Sequence, residues 1–323
     1  MSEQTWVTLK EIREAAARLP AQVVRTPLLL SEDLAEAAGA PVWLKPENLQ
    51  VTGSYKARAA FTMLNNLTEE QKRRGAAISS SGNFASAWSY MGRLLGIPTA
   101  VVMQEKTSPL KIEKTRRYGA EVILCPNDFD ARWRTLFALE PERGIKAINT
   151  FEYEDVIRGH GTIGLEMVDD LPDVDTVLVP VSSGGLIAGV AAAVKELRPS
   201  ARVVGVQPAG ANAVHTSFAR GEVVRIEKVD TICDALIAAH PGRMPFAHIQ
   251  RYVDEMALVT DDEVKGAIRW LVERAKLVVE AGGAVCVAAL LTGKVKPRGK
   301  TIALVSGGNI LPRTLAEYIL EAA

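Results

Sequence analysis

The sequence predicts an α/β protein with open, mostly parallel sheets flanked by helices. Short apolar runs alternate with longer helical patterns along most of the chain. Several runs are apolar at consecutive positions, as in Thr176-Val177-Leu178-Val179-Pro180, which suits a parallel strand covered on both faces. Turns rich in glycine and serine follow such runs and open helices, the edge at which ligands bind in open parallel sheets.

Taken in order, the first helix starts at a capping box, Thr8 with Glu11, and stops at Pro20. Strands are expected at Val42–Lys45, Ala77–Ser80, Thr99–Met103, Glu121–Cys125, Thr176–Pro180, Val203–Val206 and Thr301–Val305. Helical patterns lie between them, at Phe84–Leu95, Pro109–Tyr118, Ala131–Leu139 and Leu186–Leu197. The basic segment Lys294–Lys300 reads as a solvated loop before the last strand.

With 323 residues the chain has room for two domains or one large one. Its 38 basic and 38 acidic residues cancel, which argues against a nucleic-acid binder held by bulk charge and against a polybasic membrane-surface protein. A hydrophobic content of 48% is ample for a core. No uninterrupted apolar run approaches the roughly 18 residues of a membrane span. The opening MSEQTWVTLKEIREAAARLP reads as an amphipathic helix, not a signal peptide. Cys125, Cys233 and Cys286 are scattered and form neither a disulfide framework nor a metal-binding pair. A reducing, cytoplasmic compartment is expected.

Four turns could carry chemistry. The first leads from Lys45 to Lys56, which opens a helix. A lysine at a helix N-terminus is electrostatically misplaced, because that end favours anions. Its surroundings would push the amine towards the neutral, nucleophilic form, although from position alone a surface lysine that merely tolerates the site is the better reading. The second, Ser79-Ser80-Ser81-Gly82-Asn83-Phe84, exposes backbone N–H groups to a carboxylate or phosphate, or is an ordinary cap. In the third, Pro180-Val181-Ser182-Ser183-Gly184-Gly185-Leu186, two hydroxyls and a helix N-terminus converge into a phosphate cup. It has neither the Gly-Lys-Ser/Thr of a P-loop nor a GxGxxG pattern. The fourth is Val305-Ser306-Gly307-Gly308-Asn309. A lysine, two anion-cradling turns and a further polar turn together suit a cofactor bearing an aldehyde and a phosphate.

The stretches KPENLQVTGSYKARAA, SSSGNFASA, VPVSSGGLIAGVA and VSGGN resemble, in order and spacing, the signatures of fold type II pyridoxal-phosphate enzymes. The likeness is to the serine/threonine dehydratase and serine racemase family and runs from about Thr26 to Asn309; YEDVIRGHGTIGLEM and TICDALIAAHPG match as well. It implies a two-domain, tryptophan synthase β-like architecture, with a small domain (residues 50–149) inserted into a large cofactor-binding domain (residues 1–49 and 150–323). The cofactor would lie in the cleft, shielded by domain closure.

By the same resemblance, Lys56 is the Schiff-base lysine and general base. Asn83 bonds the phenolic oxygen of pyridoxal 5'-phosphate, and Tyr55 lies against its ring. Ser182, Ser183, Gly184, Gly185 and Leu186 bind the phosphate, and Ser306 faces the pyridine nitrogen. Ser80, Ser81, Gly82, Asn83 and Phe84 hold the substrate carboxylate. Ser81 stands where racemases place a second base on the opposite face, or is only a loop donor. Arg132 stands where an arginine reaches the substrate, or is an exposed helix arginine, Arg134 being as plausible by pattern. The activity implied is β-elimination of a β-hydroxy-α-amino acid (threonine, serine or a bulkier analogue such as phenylserine) to a 2-oxo acid and ammonia. The alternative is an amino-acid racemase with Lys56 and Ser81 as opposed bases. A homodimer is implied too.

The departures from the family pattern matter. The usual four-glycine phosphate loop is Ser-Ser-Gly-Gly here. Phe84 replaces a histidine, which makes the pocket more apolar. Gln207 and Ala213 occupy the positions of the family's divalent-metal carboxylates, so no magnesium or calcium site is expected, while a monovalent cation held by carbonyls stays compatible. Glu280 keeps the family's acidic position, but Ala281 and Ala235 replace its usual proline and glycine.

Overall fold

A computed structural model describes residues 6–128 and 130–321. Among the described residues ten strands form two sheets: β1 (Leu29–Leu30), β2 (Val42–Pro46), β3 (Ala76–Ser79), β4 (Thr99–Gln104), β5 (Glu121–Cys125), β6 (Lys146–Ala147), β7 (Thr176–Pro180), β8 (Arg202–Pro208), β9 (Glu255–Val259) and β10 (Thr301–Val305). The larger sheet has the order β1-β2-β10-β7-β8-β9 and the smaller β5-β4-β3-β6. Every pairing is parallel except that of β1 with β2.

Register aligns the strand ends that matter. Val305 pairs with Pro46, and Pro180 with Val206. Because β10 lies between β2 and β7, the segments that leave these three strands emerge side by side at one sheet edge. They are the turns leading to Lys56, to Ser306 and to Ser182. In the smaller sheet Ser79 pairs with Val102, and the chain leaves β3 directly into Ser80–Asn83.

The strands β3, β7 and β10 are buried at every position. Helices supply the cover. The helix Glu154–Asp170 packs on Gly185–Leu197 and on the helix Lys56–Asn65, which also meets Asn83–Leu95. Contact with the Lys56 helix is close because position 159 is glycine: a Cβ there would lie 2.6 Å from the Ala59 Cα. A buried polar cluster pins the same helix. Arg58 bonds Glu47 and Glu166, Lys45 bonds Glu166 at 2.6 Å, and Thr26 bonds Glu47 at 2.7 Å.

The elements expected from sequence are present with shifted ends. β3 starts at Ala76 and stops at Ser79, which puts Ser80 in the turn. The helices start at Asn83 and Gly185, one residue earlier than their apolar pattern. The helix from Ala131 runs to Arg143, past Leu139 and through Pro141. Three strands were not anticipated. Two residues each is too short for β1 and β6 to show a pattern. The edge strand β9 is half-exposed and begins Glu-Met, without the apolar run that marks the central strands. Thr8 and Glu11 form the expected capping box.

Candidate active site

Lys56 is set by the turn before it. Thr52 and Gly53 both take positive φ, 67° and 78°, and fold the chain back on the turn after β10. Tyr55 N–H donates to the Ser306 carbonyl at 3.2 Å, and Gly308 N–H to the Gly53 carbonyl at 2.9 Å. Lys56 then opens the helix with no side-chain cap before it. Its Nζ lies 4.5 Å from the Tyr55 ring centroid and 4.9 Å from that of Phe84. Burial pushes the amine down to about 7, opposed in part by the charge of Glu280. A large share of such an amine is unprotonated at neutral pH. The wholly buried His160 tilts against Tyr55 with ring centroids 4.7 Å apart. It is held neutral by burial and by the neighbouring charge of Lys56.

Asn83 begins its helix and faces Glu280, which comes from the far side of the site: Asn83 Nδ2 donates to Glu280 Oε1 at 2.5 Å. Burial, and secondarily the charge of Asp234, push the Glu280 carboxyl up to about 8. Asn309 Nδ2 donates to Asn83 Oδ1 at 2.9 Å and to the Thr52 carbonyl at 2.8 Å. Lys114, on the helix Pro109–Arg117, donates to Asn309 Oδ1 at 2.8 Å. The buried Ser306 hydroxyl stands 3.5 Å from the Gly282 carbonyl.

The turn after β7 makes a cup. Gly184 is left-handed, with φ 103°, and the helix from Gly185 has no side-chain cap, so its first N–H groups stay available to an anion. Gln207 supports the turn from β8. It accepts from His215 N–H at 2.8 Å and reaches the Ser182 carbonyl at 3.5 Å. Ser183 accepts from Gly242 N–H at 3.0 Å. A depressed lysine amine, an uncapped helix N-terminus and a neutral buried hydroxyl fit a ligand that carries an aldehyde, a phosphate and a ring nitrogen.

Residues 20–307 match the family model described as pyridoxal-phosphate dependent enzyme. The chain belongs to that family. Among pyridoxal-phosphate dependent enzymes it is 42% identical to the L-threonine ammonia-lyase of Thermotoga maritima, over 94% of this chain and 76% of that protein. In structure it is similar to maize serine racemase, with a TM-score of 0.93 and 32% identity over 98% of both chains. It is also similar to the processed form of threonine deaminase isoform 2 from Solanum lycopersicum. There the TM-score is 0.89 and the identity 32%, over 98% of this chain and 93% of that one. The fold and family read from the four motifs are those found, and pyridoxal phosphate is the family's cofactor.

The remaining residues of this family member fall as follows. Gly82 N–H points to Ser80 Oγ at 3.4 Å, and Ser81 Oγ lies 3.1 Å from Thr107 Oγ1. Phe84 is buried with its ring toward Lys56. Arg132 stands on the helix Ala131–Arg143 with its guanidinium 5.0 Å over the Trp133 ring. The alternative Arg134 pairs with Asp128 at 2.7 Å in an exposed position. Sequence reasoning gave no role to Asn309, although it closes the motif VSGGN, and noted Glu280 only as an acidic position that the family keeps. It missed Lys114 and Thr107 altogether, because only folding brings the loop and helix after β4 to the turns after β3 and β10. Among the described residues no group of three or more His, Cys, Asp or Glu side chains is placed to hold a metal ion. No helix among them is long and apolar enough to cross a membrane.

Proposed function

We propose that the chain is an ammonia-lyase that removes water and ammonia from a β-hydroxy-α-amino acid and releases a 2-oxo acid. The observation that carries this reading is the Lys56 amine: set at a helix start between the Tyr55 and Phe84 rings and depressed to about 7. It has the nucleophilicity to capture an aldehyde and the basicity to take a proton from carbon. Relatives named threonine ammonia-lyase and threonine deaminase support it.

In this reading Tyr55 would flank the cofactor ring, Asn83 would donate to its phenolic oxygen, and Ser182, Ser183, Gly184, Gly185 and Leu186 would hold its phosphate. When bound, pyridoxal phosphate supplies an electron sink for the substrate α-carbon. Lys56 Nζ would take the α-proton of the bound substrate and return it to the departing β-hydroxyl, which leaves as water. The loop Ser80–Phe84 anchors the substrate carboxylate through backbone N–H groups, and Arg132 closes over it. Ser306 would offer the ring nitrogen a neutral hydroxyl and so moderate the electron withdrawal that the cofactor supplies. The released enamine tautomerises and takes up water, giving the oxo acid and ammonia. Phe84 favours an apolar β-substituent, so threonine, serine and phenylserine are the substrates to compare. We extend the proposal to a small domain of residues 50–149 closing on the remainder, to a homodimer and to a cytoplasmic location. The three buried, unpaired cysteines fit a reducing compartment.

A second reading, racemisation with Lys56 and Ser81 as opposed bases, is favoured by the Ser81 hydroxyl and its Thr107 partner. One assay separates the two: oxo-acid release and enantiomer interconversion for both forms of serine, threonine and phenylserine, with and without chelator. The lyase reading expects rapid oxo-acid release from one enantiomer. Interconversion without oxo acid would replace it with the racemase.

A further inference from the structure

The Asn83 amide could in principle face either way, since its oxygen and nitrogen are nearly equal in shape. Its hydrogen bonds run in one direction. Lys114 Nζ meets Asn309 Oδ1 at 2.8 Å. An ammonium has three donors and no acceptor, so only the oxygen of Asn309 can face it. That turns Asn309 Nδ2 inward, where it donates to the Thr52 carbonyl and to Asn83 Oδ1. Asn83 must then present its own Nδ2 to the cleft, where one N–H goes to Glu280. The other is left for the donor role that the proposed function gives Asn83. Thr52, the acceptor that completes the set, is held in left-handed backbone with φ 67°. A non-glycine residue in that region stores strain that the surrounding contacts sustain.

We propose that Lys114 is a positioning residue for the reaction: its ammonium fixes the polarity of the Asn309–Asn83–Glu280 chain, so that Asn83 always offers a donor to the oxygen of a bound ligand. Lys114 meets the turn after β10 through Asn309 and acts through the two amides. It is half-buried, and burial lowers its amine from the usual lysine range, so its charge is partly stripped of water. The helix that carries it, Pro109–Arg117, belongs to the smaller sheet's side, whereas Asn309 follows β10 of the larger sheet. On the same helix Lys111 pairs with Asp234 at 2.8 Å. The polarity of the donor chain therefore depends on the approach of this helix to the large-sheet turn.

The inference rests on the proposed role of Asn83, and its test is read on cofactor uptake as well as turnover. Three variants are compared with the parent. Lys114→Met removes the donor, Lys114→Gln keeps length but can present either donor or acceptor, and Lys114→Arg keeps a donor-only cation. Each cofactor-free protein is titrated with pyridoxal phosphate, followed by the visible band of the bound form, and kcat and KM are measured on the best substrate of the panel. The expected result is a loss of about 10–100-fold in kcat/KM for Met and Gln, carried mainly by kcat, with a displaced visible band and restoration by Arg. If Met does not fold, Gln against Arg decides in the same terms. Parent-like band and rates in Met or Gln would overturn the proposal, and so would equal loss in Arg and Gln with the band unmoved, since that reports packing only. A parent that binds the cofactor but releases no oxo acid would instead count against the lyase reading. The band of the variants would still test the polarity chain.

Discussion

Arg58 and Glu166 meet in a fork, Nη1 to Oε1 at 2.7 Å and Nη2 to Oε2 at 2.9 Å, two residues beyond Lys56 on its helix. On its other side Arg58 takes Glu47 through Nε and Nη2, at 2.9 and 2.8 Å. Lys45 adds a second cation against Glu166. Two cations and two carboxylates thus balance in a place with almost no exposure to water.

The first prediction follows from that balance. Arg58→Leu leaves Glu47 and Glu166 buried with Lys45 as the remaining cation bonded to the cluster. Breaking a buried pair by removing one partner costs about 3–5 kcal/mol, because the other charge stays desolvated. Urea unfolding should show that loss with little change in the denaturant slope. A loss below about 1 kcal/mol would mean that the cluster relaxes by admitting water.

Gly184 carries the second. Its φ of 103° strains any side chain, and a Cβ would meet Ile249 Cδ1 at 2.8 Å and Pro245 Cβ at 3.2 Å. Gly184→Ala should tilt the cup and lower the affinity for pyridoxal phosphate at least about tenfold, corresponding to the roughly 1–2 kcal/mol of a left-handed residue. Titration of the cofactor-free variant checks it. Unchanged affinity would remove the turn after β7 from the phosphate site.

How far the site was readable follows from distance along the chain. Lys56, Asn83, Ser182–Leu186 and Ser306 each sit in a local strand–turn–helix pattern; the meeting of Lys56, Ser182–Leu186 and Ser306 at one edge follows from parallel strands ending together, while Asn83 comes from the smaller sheet. Glu280 and Lys114 have no such local mark. Glu280 reaches Asn83 across 197 positions, and Lys114 reaches Asn309 across 195. A lysine three residues after another on an amphipathic helix looks like any solvated one. The half-exposed edge strand β9 stayed hidden for a related reason: pairing with β8, not its own composition, makes it a strand.

The third prediction concerns the Lys56 amine. An ordinary lysine is almost wholly protonated at neutral pH and reacts faster as pH rises towards 10.5. Lys56 is pushed down to about 7. The rate of covalent uptake of pyridoxal phosphate by the cofactor-free protein, measured against a model amine, should climb about tenfold per pH unit below 7 and level off above it. A rate that still climbs in proportion beyond pH 9 would show an amine in contact with water.

Glu280 carries the fourth, and its sign is opposite to that of a salt-bridged carboxylate. Its folded pKa, about 8, lies above the unfolded value of 4.5, so the native state holds the proton more tightly. The stabilisation is fully present below pH 4.5 and is lost as pH rises to 8, beyond which nothing more is lost. Glu280→Gln keeps an oxygen for Asn83 and cannot ionise. Relative to this variant, the parent should lose on the order of 3–5 kcal/mol between pH 4.5 and 8, with flat behaviour outside that window. Urea midpoints of both proteins at successive pH values give the difference directly, with the contributions of all other titrating groups largely cancelling. A difference constant across the window would mean that Glu280 is ionised throughout, held so by Lys111 and Lys114, and that Asn83 donates to a carboxylate at every working pH.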